Sequence, residues 1–361
     1  MEQGSAIVEG MSGIRYWQPE DLALLEQDAL DAHAREMSLA GNQGPLPPAN
    51  FLALSGGGED GAFGAGLLVG WTQSGTRPDF KVVTGVSTGA LTAPFAFLGP
   101  RYDEQLKAVY TTVGDKDVLE QRGLLAAIFD DALADNAPLQ RLVAKYVTQN
   151  MLTEIAAEYA KGRLLFIGTT NLDARQPVMW NIGKIAASGN PKALDLVRKI
   201  LVASAAIPAA FPPMMINVTA NGKQYQEMHV DGGASAQVFV YPAELKVAEI
   251  SERAGIVRER RVFVIRNAQL DPDWADTKRQ TLSIAGRAVS SLIQTQGVGD
   301  LYRIYTMTQR DGADFNLAFI PADFNVPLTK PFDPHYMNEL FKTGYDLGKS
   351  GYKWTKMPPG V

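Results

Sequence analysis

Apolar and polar residues alternate along the chain at two spacings, which predict short strands and longer helices in turn. Compact apolar runs predict buried strands at residues 51–54, 81–86, 164–170, 178–181 and 261–266, and directly before Asp231. Apolar residues that recur every three or four positions predict helices at residues 19–40, 61–71, 90–98, 193–205, 281–302 and 336–349, and over most of 101–149. Strands that lead through a tight turn into a helix, twice in succession, indicate a largely parallel sheet covered by helices on both faces.

The domain organisation follows from where these patterns stop. The segment GNQGPLPPAN, residues 41–50, ends the first helix with glycines and prolines, and we interpret it as a linker. We therefore predict an N-terminal extension and linker over residues 1–48 and a single domain over residues 49–361. In that domain the motifs described below lie between residues 50 and 240, and closing elements occupy residues 241–361. The chain contains no internal repeat and no low-complexity tract.

Charge and cysteine content exclude several classes of function. The chain of 361 residues carries a formal net charge of -5 and has no cluster of lysine and arginine. Binding of nucleic acid requires a concentrated basic surface, so we predict no nucleic acid partner. There are no cysteines, which excludes disulfides, thiolate metal sites and a cysteine nucleophile. No metal or cofactor is predicted.

The sequence predicts no membrane-spanning segment. The longest apolar stretch, residues 201–216, includes Pro208, Pro212 and Pro213 and is too short to cross a bilayer. The first residues, MEQGSAIVEGMSGIRYW, lack the basic start and apolar run of a signal peptide. We therefore expect a cytoplasmic protein, or a cell-envelope protein if a signal segment has been removed. Any contact with a membrane is expected to be peripheral.

A serine stands in the sequence Gly85-Val86-Ser87-Thr88-Gly89, between a predicted strand and a predicted helix. This is the pattern of a nucleophile elbow, in which a strained turn lifts the serine oxygen above the sheet and the glycines prevent collisions with neighbouring backbone. The following helix directs its N-terminal amides at the same place. Taken alone, the pattern fits an ordinary strand–helix turn of small residues equally well.

A second glycine-rich turn, residues 55–61 (SGGGEDG), also joins a strand to a helix. The bare amides of Gly56, Gly57 and Gly58 could stabilise a tetrahedral oxyanion, an effect worth about 3 kcal/mol per donor. The same letters fit the dinucleotide-binding pattern G-x-G-x-x-G. That motif requires an acidic residue about 20 positions further on, at the end of the next strand. Asp79 has the right spacing, but it precedes that strand.

A third motif, Asp231-Gly232-Gly233, follows a predicted strand. An aspartate with two glycines after it can be approached closely by another loop, although a lone motif of this kind is more often a simple turn. The three motifs in this order resemble the patatin-like phospholipase family. Residues 203–213, ASAAIPAAFPP, are similar to the family's A-S-x-A-x-P-x-x-F-P segment, and residues 169–172, TTNL, fit its central strand.

The resemblance covers most of residues 50–240 and points to a bacterial member of the family. It implies a three-layer α/β/α sandwich with a central, mostly parallel sheet, a modification of the α/β-hydrolase fold. It also implies hydrolysis of phospholipid or other lipid acyl esters by a dyad of Ser87 and Asp231, with oxyanion donors at Gly56, Gly57 and Gly58 and no metal. The glycines that support these motifs are Gly61, Gly85, Gly89, Gly232 and Gly233.

One position departs from the family pattern. The family often has arginine or lysine directly before the last glycine of the first motif, where this chain has Asp60. A cation there would attract a phosphate group, so we do not expect a strong preference for anionic head groups. We interpret Glu59 and Asp60 as acids that favour the positive end of a helix dipole.

Three alternatives stay open beside the dyad. A Ser-His-Asp triad would need one of three histidines, and His335, late in the chain, is where an ordinary α/β-hydrolase would place its base. We expect His229, which shares a strand face with Asp231, to be structural and His33 to be solvated. The second alternative is a lipid-binding protein that kept the fold without turnover, and the third is a dinucleotide-dependent oxidoreductase.

Two apolar segments are candidates for contact with lipid. One contains Leu124, Leu125, Ile128 and Phe129, and the other spans residues 213–216 beside the aspartate motif. Packing in the core is the simpler explanation for both. The expected partner of the protein is thus a lipid or acyl-ester substrate, with membrane contact as a further possibility.

Overall fold

The computed structural model describes residues 6–17, 19–118, 120–121, 134–208, 210–271, 279 and 281–361. Its strands are Ile7–Val8 (β1), Arg15–Trp17 (β2), Ala49–Leu54 (β3), Val82–Val86 (β4), Glu120–Gln121 (β5), Ala134–Asp135 (β6), Leu164–Asn171 (β7), Gln176–Asn181 (β8), Met214–Ala220 (β9), Lys223–Asp231 (β10), Arg260–Arg266 (β11) and Asp314–Phe319 (β12). Its α-helices are Leu22–Leu39 (α1), Gly61–Gln73 (α2), Thr88–Leu98 (α3), Asp103–Thr111 (α4), Asp115–Val118 (α5), Ala137–Tyr146 (α6), Gln149–Ala160 (α7), Ile182–Ala187 (α8), Ala193–Ser204 (α9), Val247–Arg253 (α10), Thr281–Arg310 (α11) and Pro334–Lys349 (α12). Short 3-10 turns occupy Gly58–Asp60, Pro100–Tyr102 and Gly232–Ala234.

One mixed sheet organises the chain. Strands β12, β11, β3, β4 and β7 lie side by side in this order and run parallel. Strands β8, β9 and β10 are antiparallel to their neighbours and extend the sheet beyond β7. The predicted parallel centre is confirmed, and the sheet as a whole is mixed because two hairpins, β7–β8 and β9–β10, build its other side.

The two faces of the sheet are covered by different helices. Leu52 and Leu54 of β3 point into a core shared with α2, α3 and α12, whereas Ala53 points into a core shared with α11. Alternate residues of a strand face opposite sides, so a strand buried on both sides reads as a continuous apolar run. α2 and α12 pack so closely that a Cβ at Gly66 would lie 2.0 Å from the carbonyl oxygen of Phe341. The fold is the predicted α/β/α sandwich.

The N-terminal segment, predicted to be an extension and linker over residues 1–48, contributes to the same sheet in its described part. β1 pairs with β9, and β2 pairs with β8. Arg15 of β2 forms a buried ion pair with Glu227 of β10 through two hydrogen bonds of 2.5 and 2.9 Å. α1 packs on one face of the sheet through Leu25 and Ala32. The described part of this segment is therefore integrated into the layers rather than appended to them.

β7 places the strands that carry Ser87 and Asp231 end to end. β8 occupies one edge of β7. On the other edge β4 runs parallel to β7 and ends with Val86 opposite Gly168. β10 continues along that same edge in the antiparallel direction, with Asp231 opposite Thr169. The carboxyl ends of β4 and β10 therefore meet at adjacent residues of β7, and Ser87 follows β4 at this point.

Segments with a weaker sequence pattern differ from the predictions in several ways. Residues 101–149, predicted to be mostly helical, contain the paired strands β5 and β6 besides α4, α5 and α6. The apolar segment at residues 124–129 lies outside the described residues. The segment at 213–216 leads into β9, where Ile216 is buried and Met215 is exposed. In the described ranges, no helix combines the length and apolarity needed to cross a membrane.

Candidate active site

Ser87 occupies a turn that few residues other than glycine adopt. It lies directly between β4 and α3 and has a positive φ of 54°. A Cβ at Gly85 would lie 2.4 Å from the carbonyl oxygen of Gly89, and a Cβ at Gly89 would lie 2.3 Å from that of Leu54. Backbone strain of this kind costs about 1–3 kcal/mol and clusters at functional sites. The predicted strand–turn–helix geometry around the serine is present.

The segment that follows α9 connects the serine turn to the aspartate. The N–H of Ser87 donates to Ser204 Oγ at 3.0 Å, and the Ser204 hydroxyl donates to the carbonyl oxygen of Gly168 at 2.6 Å. Two residues later, the carbonyl oxygen of Ala206 accepts the N–H of Asp231 at 2.9 Å. The alanine-rich segment at residues 203–213 therefore forms hydrogen bonds with both the serine turn and the backbone of Asp231.

The two carboxylate oxygens of Asp231 have different surroundings. Oδ1 accepts the N–H of Gly233 at 2.7 Å. Oδ2 is buried and, among the described residues, has no hydrogen-bond partner of ordinary geometry. Burial raises the pKa of Asp231 to about 7, against the opposing effects of the Ser87 hydroxyl and the Gly233 amide. The Ser87 hydroxyl is thus close enough to affect the pKa of Asp231, although it does not form a hydrogen bond of ordinary geometry with it. Oδ2 therefore remains available as an acceptor.

The glycine loop between β3 and α2 presents two free amides. Gly56 does not contribute one, because its N–H donates to the carbonyl oxygen of Gln237 at 3.0 Å. The N–H groups of Gly57 and Gly58 have no acceptor in the part of the chain that the structure describes. Gly58 also lines the cavity beside Ser87. Of the three glycines predicted as oxyanion donors, the geometry leaves only Gly57 and Gly58 free for this role.

Asn267, which sequence patterns did not single out, holds the glycine loop in place. This buried residue follows β11, and it donates from its N–H to Ser55 Oγ at 2.8 Å and from Nδ2 to the Ser55 carbonyl oxygen at 2.9 Å. Its Oδ1 accepts the N–H of Gly64 in α2 at 3.1 Å. A Cβ at Gly57 would lie 2.2 Å from its carbonyl oxygen. One feature of the sequence could have identified Asn267: it is a polar residue at the carboxyl end of a parallel strand, and ligands of α/β folds bind at that edge of the sheet.

Gln237 connects the glycine loop to the aspartate turn. Besides accepting the N–H of Gly56, it donates from Nε2 to the carbonyl oxygen of Gly233 at 2.9 Å. Its own N–H donates to Asp300 Oδ2, on α11, at 2.7 Å. A Cβ at Gly233 would lie 2.4 Å from Gln237 Nε2, and one at Gly232 would lie 2.5 Å from a β7 carbonyl oxygen. Close packing against backbone therefore requires glycine at 232, whereas a side chain at 233 would displace Gln237 from its hydrogen bond.

An apolar cavity opens beside Ser87. It has a volume of about 570 Å³ and lies between α3, α4, α6 and the start of α12. Its walls are formed mainly by aliphatic and aromatic side chains, among them Leu91, Val109, Leu139, Ile207, Phe211 and Phe332. Sites of this size and character accept an apolar ligand and orient it through a few polar groups. Here the polar residues are Ser87, Gly58 with its free amide, and Thr88 and Tyr110, whose hydroxyls are hydrogen-bonded to each other.

Glu59 and Asp60 stand in the short 3-10 turn that leads into α2, at the helix end where the dipole interpretation from sequence places them. Asp60 accepts a hydrogen bond of 2.5 Å from the hydroxyl of Tyr336, and no cap bond from its side chain to the α2 amides exists in the described structure. Burial raises the pKa of Asp60 to about 7 and also raises the pKa of Glu59. The contact joins the glycine loop to α12, which borders the cavity through Met337. A partner so distant in sequence could not be predicted from the local pattern.

His229 belongs to a buried polar network on β10. Its Nδ1 lies 3.0 Å from Thr169 Oγ1, and its Nε2 lies 3.2 Å from Glu227 Oε2. Burial lowers the pKa of His229, which favours the neutral ring. Both ring nitrogens are engaged, so this histidine ties β10 to β7.

The other two histidines lie apart from Ser87. His335 is exposed in the first turn of α12, where its N–H donates to the capping carboxylate of Asp333 at 3.0 Å. His33 is half-buried on α1 rather than fully solvated. Within the described residues, no histidine is hydrogen-bonded to Ser87 or Asp231, and no three His, Asp or Glu side chains are grouped as metal ligands.

Comparison with known proteins identifies the family. The family model of the patatin-like phospholipases matches residues 52–244, more than half of the chain. The chain therefore belongs to the patatin-like phospholipase family, and this membership implies lipid acyl hydrolase activity. Both the fold class and the family agree with the resemblance seen in the sequence.

Solved structures also include a similar chain. The crystal structure of VipD from Legionella pneumophila matches with 12% sequence identity and a TM-score of 0.40. The match covers 84% of this chain and 66% of that of VipD, so the chain spans slightly less than two thirds of its length. No curated protein sequence matches.

Proposed function

We propose that this protein hydrolyses lipid acyl esters, as a phospholipase A or lysophospholipase, with Ser87 as the nucleophile and Asp231 as its base. Family membership supports the class of reaction. The pairing of β4 and β10 with β7 supports the assignment of these two residues. Val86, directly before Ser87, lies opposite Gly168, and Asp231, whose Oδ2 has no described partner, lies opposite the next residue, Thr169. A buried polar atom without a partner costs stability and is therefore a candidate for a role in function.

Acylation begins when Ser87 Oγ attacks the carbonyl carbon of the ester and its proton passes to Oδ2 of Asp231. A carboxyl with a pKa of about 7 is a stronger base than an ordinary aspartate and is still partly ionised at neutral pH. The tetrahedral intermediate then releases the alcohol, which takes the proton from Asp231. The acyl group stays on the serine as an ester.

Deacylation repeats these steps with water in place of the alcohol. Asp231 accepts a proton from water while the water oxygen attacks the acyl carbon. The second tetrahedral intermediate releases the fatty acid, and Ser87 Oγ recovers the proton from Asp231. Both intermediates carry a negative oxygen, which the free amides of Gly57 and Gly58 would stabilise.

The apolar cavity indicates which part of a lipid is bound. Its aliphatic and aromatic walls suit the acyl chain, while the ester carbonyl lies between Ser87 and the glycine loop. Asp60 and Glu59 stand on that loop where many family members carry a cation. We therefore propose a neutral or zwitterionic acyl ester as the preferred substrate over a strongly anionic one.

Covalent labelling tests this proposal most directly. An active-site-directed fluorophosphonate is expected to label the folded chain at one residue, Ser87, because an activated serine oxygen attacks phosphorus as it attacks an acyl carbon. Intact-mass measurement followed by peptide mapping identifies the site. A folded chain that stays unlabelled would favour a lipid-binding protein without turnover, and a label on another serine would contradict the assignment.

Substitution of Gly57 tests the oxyanion donors. Gly57→Ala is expected to lower kcat by about 10²–10³-fold, because the new Cβ would lie 2.2 Å from the carbonyl oxygen of Asn267 and must displace the loop. The matched control is Gly58→Ala, since no atom lies within 4 Å of a Cβ there. We expect a smaller loss for it, caused by its left-handed backbone. An unchanged kcat with a raised KM in Gly57→Ala would argue against the oxyanion role.

A further inference from the structure

A second apolar cavity lies at the opposite end of the parallel strands. Its volume, counted together with its open mouth, is about 840 Å³, and it is bordered by α1, the sheet and the segment around α10. Strand residues on its wall stand at or near the amino ends of their strands, whereas Ser87 follows the carboxyl end of β4. The five residues of β4 separate the two regions by about 16 Å. Its apolar walls include Leu25, Leu30, Phe51, Leu164, Leu245 and Ile250.

Four basic side chains also line this cavity, and two of them share one carboxylate, which leaves an excess positive charge. Lys81 and Arg258 share one partner, Glu36, at 2.5 and 2.8 Å. Both terminal nitrogens of the Arg258 guanidinium donate hydrogen bonds to that carboxylate. Burial lowers the pKa of His33, which favours the neutral ring.

Arg260 is the fourth of these basic side chains. In the described part of the chain it has no ion-pair partner, and its hydrogen bond goes to the hydroxyl of Ser251. Burial lowers the pKa of Arg260, and the nearby carboxylate of Asp311, which opposes this shift, is itself bound by Arg310 and by Tyr241. A half-buried guanidinium thus borders an apolar cavity with one hydrogen bond to a described protein group, so its other N–H groups are available to an anion.

From this arrangement we propose that the cavity binds a long-chain fatty acid anion, with the alkyl chain among the apolar residues and the carboxylate on Arg260. A planar guanidinium offers parallel N–H groups that match the two oxygens of a carboxylate. Each methylene removed from water strengthens binding, which favours a long chain over acetate.

A path to the surface exists beside this cavity. A neighbouring groove shares His33, Ile256 and Arg258 with it and is bordered by Val257, which is 88% exposed. An amphiphile could therefore enter without passing the active site. Binding requires no turnover, so this proposal goes beyond the proposed reaction and does not depend on whether Ser87 is the nucleophile.

Equilibrium dialysis of the full chain with dodecanoate at pH 8, below its micelle concentration, tests the site. We expect a saturable site in the wild-type chain and in Ser87→Ala, and weaker binding of dodecanol, which lacks the charge. Arg260→Gln is expected to weaken dodecanoate binding about tenfold or more and to remove the preference over dodecanol. The matched control is Arg261→Gln, because this neighbour on β11 pairs with Glu259 and does not line the cavity; its binding should be unchanged.

A second variant keeps the test decisive if Arg260→Gln folds poorly. Ala29→Trp, on α1, fills the cavity and should abolish the site, whereas Leu91→Trp, which fills the cavity beside Ser87, should leave it intact. Binding that survives both Arg260→Gln and Ala29→Trp but is lost in Leu91→Trp would overturn the proposal and place the fatty acid in the active-site cavity. Absence of saturable binding in the wild-type chain would overturn it as well.

Discussion

Ser87→Ala is expected to abolish ester hydrolysis without unfolding the protein. The substitution removes the attacking oxygen and little else, because the side chain sits on a turn already fixed by Ser204 and by the packing of Gly85 and Gly89. Loss of a nucleophile from a catalytic group that acts as a unit lowers the rate by about 10⁴-fold or more. Hydrolysis of a short-chain nitrophenyl ester, with thermal unfolding measured on the same sample, checks both parts. A folded Ser87→Ala protein with near wild-type turnover would refute the assignment.

Ser87→Gly provides the matched control for strain. Alanine keeps the unfavourable positive φ of 54°, whereas glycine adopts it freely. Relief of about 1–3 kcal/mol of strain exceeds the loss of about 1 kcal/mol from the greater freedom of glycine in the unfolded chain. We therefore expect two equally inactive variants, of which Ser87→Gly melts at the higher temperature.

The parts of the site that sequence could predict are those that need a special backbone. Gly85, Gly89 and Gly232 stand where any Cβ would come within 2.5 Å of a carbonyl oxygen. Only glycine fits these positions, and the motifs can therefore be recognised in the sequence. The strands beneath them are equally visible, because burial on both faces produces continuous apolar runs. The three motifs and the parallel centre of the sheet were therefore predictable.

The residues that hold these motifs together could not be predicted in the same way. Asn267 and Gln237 act through single side-chain hydrogen bonds to loops that are distant in sequence. Gly56 fits the glycine pattern as well as its neighbours do, yet its amide is taken by Gln237. Tertiary contacts decide which backbone N–H groups of the glycine loop are free, and these contacts cannot be predicted from the local sequence.

The same reason explains the differences at the N-terminus. β1 and β2 contain only two and three residues, too few for a periodic pattern, and they form because neighbouring strands supply the partners. The ion pair between Arg15 and Glu227 spans 212 positions of sequence. Asp60 likewise accepts a hydrogen bond from Tyr336, on α12, 276 positions further along the chain.

Asp231→Asn is expected to be about as damaging as loss of the serine. The amide retains the size of the side chain but cannot accept the serine proton, and a lost general base lowers the rate by about 10²–10⁴-fold. Wild-type kcat/KM should rise with pH and level off above about 7, because the carboxylate is the active form and burial raises the pKa of Asp231 to about 7. The residual activity of Asp231→Asn should lack this rise. A pH–rate profile of both proteins on a soluble ester measures the difference.

The three histidines provide the control that separates a dyad from a triad. His33→Ala and His335→Ala should each keep activity within about threefold of wild type, because neither ring is bonded to the serine or the aspartate in the described structure. His229→Gln is expected to cost stability more than turnover, since it disturbs buried hydrogen bonds to Thr169 and Glu227. A general base lost from a triad would instead remove several orders of magnitude in a folded protein. If His335→Ala shows that loss while Asp231→Asn remains active, the base is the histidine and the proposed dyad is wrong.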